Sequence, residues 1–176
     1  MKKKVLIVTS PLRVGGFDVV ATSLQTHLDR ERFECTYYIV GEEVGPLEPM
    51  VIASGAKVIH RPDSVKGYLA DYKYLKKVMH DGKYDIVHSH LMFFSGLVML
   101  AARSEGVPVR VPHGHMTDPC MEGRSFIQRR MFNVYRLFMT VLLDGCSTEL
   151  VACGPEAGAY LYGKRTFKKR GVILNN

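Results

Sequence analysis

Lys3–Thr9 (KKVLIVT), followed by Ser10–Gly16 (SPLRVGG) and then Phe17-Asp18, is the stretch that decides the fold. The first seven residues carry apolar side chains on both faces and are β-branched at Val5, Ile7, Val8 and Thr9. A strand of that kind is buried from both sides, as in a parallel sheet. Turn residues bracket the next segment. Phe17–Leu28 then places Val20, Leu24 and Leu28 at helical spacing. Strand, glycine loop and helix together form the opening unit of an α/β domain.

The same alternation continues outward. Strands are expected at Glu34–Val40, Lys57–His60, Tyr84–His90, Val107–His113, Glu149–Cys153 and Gly171–Leu174. Helices are expected near Met50–Ser54 and over Val65–His80, Phe93–Arg103, Arg124–Asp144 and Pro155–Tyr162. The basic run Lys164–Arg170 reads as a solvated loop, alternatively as one that helps hold a phosphate or a lipid surface, and Pro112 should limit the pairing of its strand. No internal repeat or linker interrupts the pattern. The fold class is therefore α/β, a Rossmann-like three-layer sandwich around a mostly parallel sheet.

Composition agrees. The 176 residues suit one domain, and 47% of them are hydrophobic, which excludes a disordered chain. No apolar run approaches the ~18 residues of a spanning helix. Met1–Lys4 imitates the start of a signal peptide, but only Val5–Val8 follow before Thr9, Ser10 and Pro11, so a strand is read there. Cys35, Cys120, Cys146 and Cys153 lack zinc-finger spacing and are expected as free thiols. The net charge of +7 favours an anionic partner. Stacking aromatics at a recognisable spacing are absent, so nucleic acid fits poorly.

Parallel α/β sheets bind ligands beyond the carboxyl ends of their strands. Gly15 and Gly16 lie there after the first strand, before a helix start whose free N–H groups favour an anion. Asp18 sits in that first turn, where it would also complement the helix dipole. His88-Ser89-His90 ends the fourth strand and His113-Gly114-His115 the fifth, so four of seven histidines fall at two strand ends. Residues i and i+2 share a face, so each pair can point into one crevice. Imidazoles there can bind a metal, hydrogen-bond sugar hydroxyls or phosphate oxygens, or move a proton. Metal ranks second because Asp85 should point away, leaving only Asp118 and Glu122 as convenient carboxylates. Arg124–Asp144 mixes arginines with apolar residues. It reads as a core-packed helix with a basic exposed side, and alternatively as a helix lying on anionic lipid.

Four stretches together resemble the N-terminal half of a family 4 retaining glycosyltransferase of the two-domain GT-B architecture, capsular and exopolysaccharide type. They are KVLIVTSPLRVGGFDVVATSLQTHLDRERFE, YDIVHSHLMFFSGLVMLAARSEGVPVRVPHGH, LVACGPEAGAYLYG and GVILNN. The resemblance implies that residues 1–176 form the acceptor-side domain, with the C-terminal nucleotide-sugar domain absent and little activity by itself. It implies a nucleotide-sugar co-substrate, no metal or other cofactor, and a saccharide or lipid-linked acceptor. It implies a cytoplasmic protein, peripheral at an anionic inner membrane face. Gly15 and Gly16 match the loop that admits the donor diphosphate, and His113 the histidine at the reaction centre. His115, His88, His90 and Asp18 follow as acceptor-side residues, and Gly154 and Glu156 match the turn after strand six. A metal-dependent hydrolase on the two HxH pairs, or a non-catalytic anion- or nucleotide-binding module, are the alternatives.

Overall fold

The computed structural model describes residues 2–117 and 123–175. Seven strands are β1 Lys3–Thr9, β2 Phe33–Ile39, β3 Lys57–His60, β4 Ile86–Ser89, β5 Val109–Gly114, β6 Leu150–Ala152 and β7 Gly171–Ile173. The helices are α1 Gly16–His27, α2 Glu48–Ala53, α3 Tyr68–Gly82, α4 Ser95–Ser104, α5 Phe126–Cys146, α6 Pro155–Tyr162 and α7 Lys164–Arg170. The sheet order is β3-β2-β1-β4-β5-β6-β7, and every pairing is parallel. The chain therefore winds outward from β1 in one direction, returns, and winds outward from β4 in the other.

Strand alternation divides the core. Val5 and Ile7 join Tyr37, Ile39, Ala21 and Val51 beneath α1 and α2. Leu6 and Val8 join Leu75, Val98, Leu143 and Leu161 beneath α3 to α6. Right-handed crossovers require this split, because reversing the winding direction moves the helices to the opposite face.

Local chemistry explains where elements begin and end. Helix α3 starts at Tyr68, three residues later than the sequence suggests, because Gly67 has a left-handed backbone with φ 87°. Helix α5 opens on a capping box, with the Ser125 hydroxyl accepting from the Gln128 amide and the Gln128 side chain accepting from the Ser125 amide. Pro112 does sit in a central strand. β5 pairs with β4 over Val109–Pro112 and with β6 only at His113 and Gly114, beyond the proline. The Tyr162 hydroxyl covers the gap, 2.7 Å from both the Pro112 and the Val151 carbonyl oxygens.

The run Lys164–Arg170, expected as a loop, is instead helix α7. Its anchor is Phe167, which is buried and stacked on Tyr162 at 5.7 Å. A Cβ on either Gly158 or Gly171 would fall 2.2 Å from the Phe167 ring, so two glycines make its slot. Charge content alone concealed that single apolar anchor.

One close approach fixes the loop after β1. A Cβ on Gly45 would lie 2.3 Å from the Leu12 carbonyl oxygen and 2.5 Å from its nitrogen. The Leu47 amide donates to that same carbonyl at 3.0 Å. Gly45→Ala must displace backbone and is expected to destabilise the domain by about 1–3 kcal/mol. A lower urea midpoint at an unchanged denaturant slope is the expected reading.

Candidate functional site

The order reversal between β1 and β4 opens a crevice at their carboxyl ends. The ladder runs on past β4, with the His90 amide donating to the Val8 carbonyl at 2.9 Å. The loop after β1 and the histidine segment after β4 therefore leave the sheet side by side.

On the β1 side, Gly16 is the first residue of α1, and a Cβ there would meet no atom within 4 Å. A Cβ on Gly15 would meet Asp18 Oδ2 at 3.3 Å. Asp18 is buried, and its Oδ1 has no hydrogen-bond partner among the described residues. Burial pushes its carboxyl above the usual range, against the opposing influence of Arg13. Asp18 is thus more than an exposed complement to the helix dipole.

On the other side, β4 and β5 pair so that His88 stands opposite Val111 and Ser89 opposite Pro112. All four histidines converge. His88 Nε2 lies 3.3 Å from His113 Nδ1, with the rings parallel within 6°. His90 Nδ1 lies 2.8 Å from His115 Nε2. The His113 and His115 rings stack at 4.1 Å, and the His88 and His90 rings lie 4.3 Å apart, tilted by 40°. In each nitrogen pair one ring donates and the other accepts, which fixes tautomers that a second proton would disrupt.

Electrostatics keep the cluster neutral. Burial, reinforced by the charge His115 would carry, pushes His88 down to about 4. Burial alone takes His115 to about 4. His90 and His113 are lowered too, first by burial and then by the neighbouring imidazoles. Charging any one ring means desolvating a cation next to three potential cations.

Access distinguishes the four. His113 has no exposed surface and His90 only 3%. His88 and His115 are partly exposed, so these two imidazoles, and not His113 or His90, reach the surface in this arrangement. His115 borders a cavity of about 330 Å³ together with Met116, Thr117, Cys153, Gly154 and Glu156. Gly154 caps α6 and Glu156 lies in its first turn, both lining this cavity after β6. Met116, Thr117 and Cys153 had no distinguishing pattern in the sequence, and only the β5–β6 pairing brings them together. His113 Nε2 and His90 Nε2 are buried with no hydrogen-bond partner among the described residues. Unsatisfied buried nitrogens of this kind mark a polar site that is still to be completed.

His88, His90 and His113 have ligand atoms within 4.8 Å of one another and form a group able to approach a metal ion, with no carboxylate in it. Asp85 is at the amino end of β4, tied to Lys3 Nζ at 2.8 Å and to the Lys4 amide at 2.9 Å, and so points away as expected. Asp118, Cys120 and Glu122 lie outside the described residues. A second polar group was not anticipated. His60 contacts Glu48 at 2.9 Å and the Gly41 carbonyl at 3.0 Å, while Arg61 pairs with Asp71 at 2.8 Å. It ties the loops after β2 and β3 together through residues 12 and 10 positions apart, a pairing only the fold reveals.

Comparison with known proteins places this geometry. The profile described as Glycosyltransferase Family 4 matches residues 14–164. EpsF of Bacillus subtilis strain 168, named as a glycosyltransferase, is 27% identical over 98% of this chain and 44% of its own length. The capsular polysaccharide biosynthesis glycosyltransferase CapH of Staphylococcus aureus is 25% identical over 98% of this chain and 46% of its own. The chain thus spans less than half the length of these relatives. Among solved structures, Anabaena HepE in complex with UDP and glucose superposes with a TM-score of 0.72 at 13% identity. That match covers 99% of this chain and 44% of HepE, the proportion expected of one Rossmann-like half of a GT-B fold.

The buried imidazoles make stability depend on pH. In the unfolded chain they titrate near 6.5, whereas His88 and His115 are held at about 4 when folded. As pH falls below about 6.5, the unfolded state takes up protons that the native state refuses. Stability is therefore expected to be full above pH 7 and to decline progressively toward pH 4. Urea midpoints at pH 7 and pH 5 measure the loss, and His88→Gln should shrink the difference between them.

Proposed function

The chain belongs to glycosyltransferase family 4, and on that premise we propose that it is the acceptor-side half of a retaining enzyme of bacterial surface polysaccharide synthesis. The full protein would move a sugar from a nucleotide-sugar donor to a saccharide or lipid-linked acceptor. The names of EpsF and CapH support the pathway, and HepE with its UDP and glucose supports the donor class. The observation that carries the reading is the neutral histidine cluster, of which His115 alone borders the cavity at the β5 and β6 ends.

The roles follow from placement. The donor diphosphate approaches the Gly15-Gly16 backbone, where the amides opening α1 offset its charge. The absence of a side chain at Gly16 leaves that approach open. His115 contacts the reacting sugars or the acceptor hydroxyl. His113, His88 and His90 stand behind it as positioning residues, holding His115 neutral and in one tautomer. Asp18 supplies an acceptor oxygen toward the loop after β1. In the transfer, the bond from the anomeric carbon to the diphosphate oxygen breaks. A bond to the acceptor oxygen forms on the same face, and the departing phosphate takes the acceptor's proton. The protein contributes orientation and charge stabilisation rather than a covalent partner. No resident metal enters this scheme: the histidine group contains no carboxylate, and one nitrogen of each ring is paired with a neighbouring imidazole. The remaining half supplies most of the donor site, so the 176-residue chain alone is inactive on this reading.

The test uses the longer protein that carries this segment, screened with nucleotide sugars and monitored for nucleotide diphosphate release. His115→Ala is expected to lower kcat/KM by about 100-fold or more. His113→Ala should lower kcat with little change in KM, and His113→Gln should recover part of it, which loss of packing alone would not allow. Gly16→Val should weaken donor binding while leaving the urea midpoint unchanged. Treatment with EDTA should leave the rate intact. Full activity of the His115→Ala enzyme, or turnover abolished by the chelator, would overturn the reading.

A further inference from the structure

The transfer scheme leaves one buried nitrogen without a task. His90 is 3% exposed, its Nδ1 is paired with His115, and its Nε2 has no hydrogen-bond partner among the described residues. When Nδ1 carries the ring's proton, Nε2 presents a lone pair to a buried site. A second pair stands beside it, with His88 Nε2 and His113 Nδ1 sharing one proton across 3.3 Å. One nitrogen from each of His88, His90 and His113 lies within 4.8 Å of the others, and among the described residues this is the one such group of three.

The backbone makes the arrangement stiff. His88 is on β4 and His90 follows two residues later, so both project to one face of the sheet. β5 runs alongside with Val111 opposite His88, which carries His113 up beside His90, their ring centroids 5.3 Å apart. Side chains on paired central strands hold their spacing better than side chains on loops.

We propose that His88, His90 and His113 bind a borderline transition-metal cation, zinc(II) being the type, and that the bound ion inhibits transfer. Ligand chemistry selects the class. Imidazoles without a carboxylate suit zinc, copper, nickel or cobalt, whereas magnesium and calcium take oxygen ligands. Geometry agrees. Zinc–nitrogen bonds of about 2.0–2.1 Å make the edge of a tetrahedron roughly 3.3–3.4 Å, which matches the His88–His113 spacing. The ion takes the place of the proton shared by that pair, and the proton moves to the other nitrogen of its own ring, so no charge is lost from the site. His90 Nε2 supplies the third bond. Its Nδ1–H then donates to His115 Nε2 at 2.8 Å, the kind of outer contact that orients a metal-bound histidine. A fourth position stays open on the ion. The inhibition rests on the transfer reading above, in which His115 contacts the substrates. Coordination fixes His90 as the donor, so His115 Nε2 is tied up as its acceptor, and a doubly charged ion stands one imidazole away.

Cobalt(II) is the probe, because its visible d–d bands report tetrahedral coordination. The 176-residue chain should take up one equivalent at neutral pH and release it to zinc. Three exchangeable, hyperfine-shifted imidazole N–H signals in the proton spectrum of the cobalt form should count the ligands without any substitution. His90→Gln should weaken cobalt binding by about 100-fold or more, since an outer partner alone is worth roughly 10–100-fold. His27→Gln together with His80→Gln, at exposed histidines outside the group, should leave binding unchanged. In the longer protein, zinc should halt nucleotide diphosphate release, EDTA should restore it, and magnesium should not inhibit. Absence of visible bands, or fewer than three shifted imidazole signals, would overturn the site. So would binding that survives His90→Gln and disappears with His27 and His80, which would show an adventitious surface ion only. Cobalt bound with turnover intact would overturn the inhibition. A longer protein without any transferase activity would instead sink the transfer reading, and the cobalt titration would still decide the site.

Discussion

Everything functional in this domain hangs on the parallel ladder between β1 and β4. Val5–Val8 pair with Ile86–Ser89, and the His90 amide adds one further bond to Val8. This is the pairing at which the chain stops winding one way and starts winding the other. Because crossovers are right-handed, the reversal puts α1 and α2 on one face and the later helices on the opposite face. The carboxyl ends of β1 and β4 then lie at the switch point, where open α/β sheets leave a crevice. The glycine loop and the histidines are brought together there, although more than 70 residues separate them. The ladder needs side chains buried on both faces, which explains why β1 carries five consecutive residues, Val5–Thr9, no more than 6% exposed.

The crevice concentrates groups that are costly to bury. Four imidazoles pack within ring-stacking distance, and a carboxylate oxygen and two ring nitrogens remain without partners among the described residues. A stable core would replace such groups with apolar side chains. Neutral imidazoles can donate at one nitrogen and accept at the other without carrying charge. The same arrangement couples function to pH through folding, since protonating one ring disrupts its partner's hydrogen bond.

Helix α5 links the two sides of this picture. Its inner stripe packs on α4 and reaches Leu143 and Leu150 near the cleft strands, while its outer stripe meets solvent.

The sequence by itself determined the class and order of elements, because buried parallel strands require continuous β-branched runs and their helices require 3.6-residue spacing. It also determined that His88, His90, His113 and His115 stand at strand ends, since those positions follow from counting along each strand. The family could be named from the order of four stretches, none decisive alone. Helix α7 escaped because one phenylalanine in two glycine slots outweighs five charges, and slots are properties of the packed chain. The outer face of α5 escaped for a similar reason: periodicity reveals that a helix has apolar stripes, but the neighbours decide which one is covered. Only tertiary structure placed His113 behind His115, joined Cys153 and Thr117 to the cavity, and paired His60 with Glu48. Burial and strand neighbourhood depend on distances between residues far apart in the chain, which no local pattern encodes.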